Sequence, residues 1–345
     1  MRAHGKAGEM RFGAGALGVA LLVASWGCSV SKVRTDPLPS WNEGPARSAI
    51  LEMVSEVTNE SGASYVPPGE RVATFDNDGT LWVEHPLYTQ AIFALDRIRA
   101  LAPEHPDWQT KAPYRQVLSG DPEALAKLDR RDWVEILAVT HTGMSTEDFE
   151  KIADAWISTA RDERFGRKYT ELVFQPMLEV LQLLRSKGFE TFIVSGGGVE
   201  FIRAFSEEGY GIPTSQVVGS SVVTRFEERE GSPVLLREPE VFFLDDKAGK
   251  PIGIQLFVGK RPIAAFGNTD GDKEMLEWTT AGQGQRLGML VLHDDAEREY
   301  AYGPAAGLPD TRVGRFSQEL YEQARNRGWI VVSMKKDWKR IFAWE

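Results

Sequence analysis

Apolar positions along the chain follow two different periods. Short runs with almost no interruption occur at 72–75, 191–194, 263–266 and 287–292. Each is too short for a helix, and each stops at a polar residue or glycine: Asp76, Ser195, Gly267 and His293. Runs of this length read as strands buried on both faces, as in a parallel sheet. Between them the spacing becomes helical. Ile50, Met53, Val54 and Val57 share one helical face, as do Val199, Ile202 and Phe205. The longest helical stretch is 84–168. Residues 88–101 contain no Gly or Pro, and Trp133, Ile136, Leu137 and Val139 recur at helical spacing. Ser145, followed by Glu147 and Asp148, predicts a helix start ahead of Phe149, Ile152 and Trp156. Residues 216–226 and 234–244 alternate like strands around Gly231, as a hairpin arm near the site or an edge extension. A helix over 316–327 and a last strand over 329–333 complete the pattern.

These elements predict an α/β protein with a doubly wound, mostly parallel sheet. Residues 46–83 and 169–345 would form the core, with 84–168 an inserted helical cap. A length of 345 residues accommodates both. The formal charge of −10 argues against a nucleic-acid partner.

Residues 1–28 differ in character. Arg2, Lys6 and Arg11 precede an uncharged stretch over 12–26, too short to span a bilayer stably, and then come Gly27 and Cys28. This is the plan of an export signal. Cys28 is the only cysteine, so no internal disulfide can form. Its place at the end of the signal resembles a bacterial lipoprotein anchor, although Ser25 and Trp26 depart from the usual residues there. A plain cleaved signal and a retained anchor are the alternatives. The expected location is the periplasm or cell envelope, with membrane contact only through a lipid on Cys28. Residues 29–45, with Pro37 and Pro39, read as a tether.

The chemistry gathers where apolar runs end. The first delivers Asp76 and Asp78, one residue apart, followed by Gly79 and Thr80. One carboxylate can attack phosphorus while the other passes a proton, and a hard cation can hold both. The second ends in Ser195 and three glycines, Gly196 to Gly198, ahead of a helix. A hydroxyl, close-approaching N–H groups and a helix N-terminus suit a phosphoryl group. The third ends in Gly267 and Asn268, with Asp270 and Asp272 close behind, a set of oxygen ligands suited to magnesium. Two lysines compete to balance the charge. Lys260 precedes a strand and should lie at its wrong end, roughly 20 Å away at ~3.3 Å per residue. Lys250 stands before Pro251 at a loop-to-helix junction, as chemistry at the carboxyl edge of a sheet requires. Glu84 and His85, at the entrance to the inserted segment, read as substrate contacts or as a solvated hinge. His293, Asp294 and Asp295 end a further strand, either as a second metal site or as a structural cap.

Together these motifs resemble those of the haloacid dehalogenase-like hydrolases, most closely the phosphoserine-phosphatase-like members. The resemblance implies Asp76 as nucleophile, becoming an aspartyl phosphate, and Asp78 as general acid and base. Ser195 and Lys250 would hold the phosphoryl oxygens. Mg2+ would be bound by Asp76, the main-chain carbonyl of Asp78, Asn268 and Asp272. Thr80, Glu84, His85 and Gly196 complete the expected substrate contacts. One departure is Asn268, which stands where that family often has Asp. Asp78 separates ester hydrolysis from dehalogenation, because a halide leaving group needs no proton and an alkoxide does. The expected activity is Mg2+-dependent hydrolysis of a small phosphomonoester such as phosphoserine. A phosphotransferase or mutase, or a non-catalytic surface lipoprotein, are the alternatives.

Overall fold

β1 (Val72–Phe75) lies at the centre of the fold because its side chains are shielded from water on both faces; all four residues are buried. In the computed structural model, which describes residues 36–229 and 231–345, it is flanked by two parallel neighbours. On one side are β2 (Glu190–Gly198), β3 (Val217–Arg229) and β4 (Ser232–Phe243). On the other are β5 (Ala264–Gly267), β6 (Leu287–Leu292) and β7 (Ile330–Ser333). The seven-stranded order is β4-β3-β2-β1-β5-β6-β7, and only the β3–β4 pair is antiparallel. The chain thus winds outward from β1 through β2 and β3, then returns to β5 and winds the other way. The crevice left at the carboxyl ends of β1, β2 and β5 is where such sheets bind ligands.

Helices cover both faces. On one, α1 (Pro45–Thr58) presents Ile50, Met53, Val54 and Val57. There it shares a core with Ala73 and Phe75 of β1 and the apolar stripes of α7 (Gln175–Ser186) and α8 (Val199–Tyr210). On the other face, Val72 joins α10 (Lys273–Thr280) and α11 (Gln318–Arg327) through Met275, Leu276, Leu320 and Ala324. A short helix α9 (Gly249–Gly253) continues into a π-helical turn over Ile254–Val258, and α12 (Met334–Asp337) follows β7.

The segment between β1 and β2 is helical, as its spacing predicts. It comprises α2 (Thr89–Leu101), α3 (Tyr114–Ser119), α4 (Pro122–Leu125), α5 (Arg130–His141) and α6 (Thr146–Ile157). It has a small core of its own, in which Leu95, Ile98, Trp108, Val117 and Ile136 meet. Ser145 caps α6 by accepting the Asp148 N–H at 3.0 Å, and Asp129 and Asp132 form a capping box at α5. The β3–β4 hairpin ties this cap to the sheet. Arg237 of β4 donates to the His141 carbonyl (2.6 Å), lies over the Phe149 ring and pairs with Glu200 of α8 at 2.7 Å.

The reading of 29–45 as a tether fails from Pro37 onward, since 37–345 is one compact unit. Leu38 and Trp41 are buried in the main core. Trp41 donates to the Pro176 carbonyl and packs edge-on against Trp338, while Ser40 donates both N–H and Oγ–H to the buried Glu179. Prolines suggested a linker, but two large apolar side chains had a groove to fill. Cys28 and the other residues expected to form an export signal lie outside the described residues. Among the described residues no helix is long and apolar enough to cross a membrane.

Candidate active site

The carboxyl ends of β1, β2 and β5 bring Asp76, Ser195 and Asn268 to one place, and α9 adds Lys250. All four are buried, Asp76 keeping 7% of its surface exposed. Lys250 Nζ donates to Asp76 Oδ1 at 2.6 Å, to Asp272 Oδ1 at 2.5 Å and to the Val194 carbonyl at 2.9 Å. Burial alone would lower the ammonium pKa; the two carboxylates reverse this and hold it above its ordinary value. Lys260 sits at the opposite edge, donating to the Gly69 carbonyl ahead of β1. Ser195 Oγ accepts the Gly197 N–H (3.1 Å), so its hydroxyl proton is directed elsewhere. Gly196 is exposed beside it, its carbonyl held by Ser220 Oγ.

Asp78 follows on the turn after β1. Its Oδ1 accepts from Trp82 Nε1 at 2.8 Å. Burial pushes its pKa up to about 6, against the opposing effect of the Trp82 and Asn77 hydrogen bonds. It can therefore exchange a proton near neutrality, as an acid–base group must. Gly79 makes this turn at φ 71°, and any Cβ there would collide with Asn268 Nδ2 and Glu84 Oε1. His293, at the end of β6, reaches the Gly79 carbonyl with Nε2 (2.8 Å) and Glu299 with Nδ1 (3.0 Å). Asp294 is taken up by Ser333 and the Lys335 N–H, and Asp295 by Arg298. His293 thus steadies the turn that carries Asp78, while Asp294 and Asp295 are taken up by other segments, a structural cap in place of a second metal site.

Asp272 departs from its expected part as a cation ligand. Its Oδ2 accepts the N–H groups of Asn268 (2.9 Å) and Thr269 (3.0 Å), and its Oδ1 meets Lys250. Both oxygens are engaged, so it anchors Lys250 and shapes the loop. Asp270 turns away to accept from Ser317. Glu84 and His85 also differ from their expected role as substrate contacts. Glu84 is 1% exposed, and its Oε1 accepts from Tyr302 OH (2.8 Å) and Asn268 Nδ2 (2.7 Å). His85 stacks on Tyr302 with ring centres 3.7 Å apart and directs Nε2 at Thr311 and the Val313 carbonyl. Burial lowers its pKa to about 4, leaving it neutral. Thr80 is buried and donates to Asn268 Oδ1 at 3.2 Å.

A model of the haloacid dehalogenase-like hydrolases matches residues 70–244. The chain belongs to this family. The match takes in both aspartates, the helical cap, the Ser195 turn and the hairpin, and it ends before Lys250 and Asn268. No curated protein matches the chain. Solved structures are similar at low identity. One is a conserved protein of unknown function from Anaerococcus prevotii (16% identity, 72% of this chain and 86% of that one, TM-score 0.49). Another is a phosphoserine phosphohydrolase-like protein from Francisella tularensis (15%, 65% and 88%, TM-score 0.35). A third is cytosolic 5′-nucleotidase IIIB bound to cytidine (13%, 86% and 90%, TM-score 0.41).

Haloacid dehalogenase-like hydrolases imply a divalent cation, and the donor set here fits one. Four buried or part-buried acids, Asp76, Asp78, Glu84 and Asp272, gather here, and the Lys250 ammonium pairs with two of them, Asp76 and Asp272. Burial raises Asp76 well above the carboxylate range, and neighbouring Asp272 raises it further against the pull of Lys250. Burial likewise raises Glu84, with Asp78 and Asp76 adding to it. The site thus holds more buried carboxyl groups than its one ammonium can pair, and a cation would favour their charged forms. The groups that would hold a cation are the Asp76 oxygen not held by Lys250, the Asp78 main-chain carbonyl and Asn268 Oδ1, which also accepts from Thr80 Oγ1. Among the described residues no three His, Cys, Asp or Glu side chains form a metal cage. A small hard cation that keeps waters and a substrate oxygen needs none.

Two further residues carry no local sequence signal. Gln90 of α2 reaches from the cap to accept the Gly198 N–H at 2.8 Å, joining cap and Ser195 turn. Asp245, in the loop before α9, is fully buried near the site. Its charged neighbours Asp246 and Lys247 make that loop read as solvated.

Proposed function

We propose that this hydrolase cleaves small phosphomonoesters through an aspartyl phosphate on Asp76. The observation that carries the reading is the placement of two carboxyl groups on one turn with different partners, Lys250 for Asp76 and Trp82 for Asp78. Asp76 is ion-paired to Lys250 at 2.6 Å, and Asp78, with a pKa of about 6, can hold a proton. In the first step the unprotonated Asp76 oxygen attacks phosphorus, the P–O ester bond breaks, and Asp78 gives its proton to the departing alkoxide. In the second, Asp78 takes a proton from a water that attacks the phosphoryl group, releasing phosphate and restoring Asp76. Lys250 fixes the position of Asp76, and Ser195 Oγ–H with the Gly196 N–H can receive phosphoryl oxygens. A bound Mg2+ would supply charge neutralisation at the phosphoryl oxygens, held by Asp76, the Asp78 carbonyl and Asn268. The helical cap, latched by Gln90 and Arg237, limits water and supports a small substrate. Phosphoserine is the substrate that the resemblance favours. Export and lipid attachment through Cys28 belong to the same proposal, and loss of lipid labelling in Cys28→Ser would support them.

The test is phosphate release from an aryl phosphate and a panel of small phosphomonoesters including phosphoserine. Release should require Mg2+ and fall by at least about 1,000-fold in Asp76→Asn, since the nucleophile is lost. Mg2+-independent release, or full activity in the variant, would refute the mechanism. Transfer to added alcohols without hydrolysis would show a phosphotransferase.

A further inference from the structure

Three glycines in a row, Gly196 to Gly198, follow Ser195 in the turn offered to the phosphoryl group. Such a stretch has the freest backbone a chain can contain, so its shape must be fixed by its surroundings. Side chains hold it at three points, two of them in the core. Ser195 Oγ accepts the Gly197 N–H at 3.1 Å, and Ser220 Oγ of β3 donates to the Gly196 carbonyl at 2.9 Å. The third comes from the cap, where Gln90 Oε1 of α2 accepts the Gly198 N–H at 2.8 Å. This contact accounts for the glycine at 198. Its φ of −68° suits any residue, but a Cβ there would stand 2.7 Å from Gln90 Nε2.

Behind Gln90 the hydrogen bonds continue through the cap. Gln90 Nε2 lies 3.1 Å from His141 Nε2, and His141 Nδ1 lies 2.7 Å from Thr140 Oγ1. Thr140 Oγ1–H donates to the Ile136 carbonyl at 2.7 Å. The Gly198 N–H at one end only donates and the Ile136 carbonyl at the other only accepts, so the chain runs in one direction. Thr140 gives its proton to Ile136 and accepts from His141 Nδ1–H. His141 Nε2 then carries a lone pair and accepts from the Gln90 amide, which leaves Gln90 Oε1 facing Gly198. A neutral ring is what this needs, and burial, with the Arg237 and Arg97 charges nearby, lowers the His141 pKa to about 3. The ring packs against Phe93 of α2 and Phe149 of α6, so its place is set by cap helices.

We propose that Gln90 is the positioning residue by which the cap orders the phosphoryl cradle: with its amide oriented by His141, it pins the Gly198 N–H and so fixes the glycine turn beside Ser195 while the cap is seated. Closing the cap and shaping the cradle are then one event. This rests on the reading of the Ser195 turn as a phosphoryl site.

The test is calorimetric titration of the full chain with inorganic phosphate in the presence of MgCl2, with circular dichroism and Tm to check folding. Gln90→Leu should weaken phosphate binding by about 3–10-fold, the worth of one neutral hydrogen bond. His141→Phe, two hydrogen bonds away from the turn, should weaken it by a similar factor, because the amide loses the acceptor that orients it. His141→Gln sets an amide oxygen within reach of the same point and should bind phosphate within about 2-fold of the unsubstituted protein. The two losses should not add, so Gln90→Leu with His141→Phe should bind within about 2-fold of Gln90→Leu alone. If Gln90→Leu does not fold, the contrast between His141→Phe and His141→Gln carries the test. The proposal is overturned if Gln90→Leu or His141→Phe, folded, binds phosphate like the unsubstituted protein with only its Tm lowered. It is equally overturned if His141→Gln falls as far as His141→Phe, or if the two losses multiply. Failure of the unsubstituted protein itself to bind phosphate would remove the phosphoryl reading beneath the proposal, a different and separately visible result.

Discussion

Asp245 is fully buried, and only the Ser195 main-chain N–H lies close enough to its carboxylate to offset this by hydrogen bonding. Burial raises its pKa to about 7, although the nearby Lys250 charge pulls it down. An acid whose pKa is higher in the folded state binds its proton more tightly there. Its contribution is therefore fully present below the unfolded value near 4 and is lost as pH rises through about 7. Asp245→Asn removes that loss. Denaturant unfolding should show the variant gaining on the unsubstituted protein by a few kcal/mol more at pH 8 than at pH 4, at ~1.4 kcal/mol per unit of pKa shift. An equal difference at both pH values would mean that Asp245 is not titrating as a buried acid. Legibility in the sequence divides sharply among such residues. Asp76, Asp78, Ser195 and Asn268 could be found because each stands at or just past the end of an apolar run. Asp245 could not, since it stands in a charged loop. The pairing of Glu84 with Asn268 joins residues 184 positions apart, and no local pattern reports such a contact.

Among the elements, the β3–β4 hairpin is the one whose purpose the alternation of its residues left open, between arm and edge extension. It joins cap to core through Arg237. This guanidinium is 3% exposed and meets Glu200 of α8, the His141 carbonyl of α5 and the Phe149 ring of α6. Arg237→Ala leaves the Glu200 carboxylate buried without its partner. A loss of about 3–5 kcal/mol is expected in urea unfolding, the usual cost of breaking one side of a buried pair. Arg237→Ala with Glu200→Gln should recover part of it. A loss below about 1 kcal/mol, as for a surface pair, would show that the hairpin does not hold the cap. The strands themselves were readable because β1, β5 and β6 are buried along their whole length, which forces an unbroken apolar run. The turn of α9 into a π-helix was not, because a single-residue change in helical pitch leaves the apolar spacing nearly unaltered.

For the whole molecule, the segment from Pro37 decides where the folded unit begins. Leu38 and Trp41 are at most 1% exposed, and large-to-small losses at such positions cost about 2–5 kcal/mol each. A chain starting at residue 45 should therefore melt well below one starting at residue 37, by calorimetry. Equal Tm values would return that segment to the status of a tether.

Sequence alone determined the fold class, the helical nature of the insertion and the residues at three strand ends. Burial on both faces and one face at a time leave different periods in the chain, and polar groups at strand ends interrupt them visibly. Tertiary structure decided which of those groups act together. It made Asp272 the partner of Lys250, placed Glu84 behind Asn268, turned His293 toward the Gly79 carbonyl and drew Trp41 into the core. These outcomes depend on distances between segments brought together only by the winding of the sheet, and on competition for a few hydrogen-bond donors in a space closed to water. Neither quantity is written in the order of the residues.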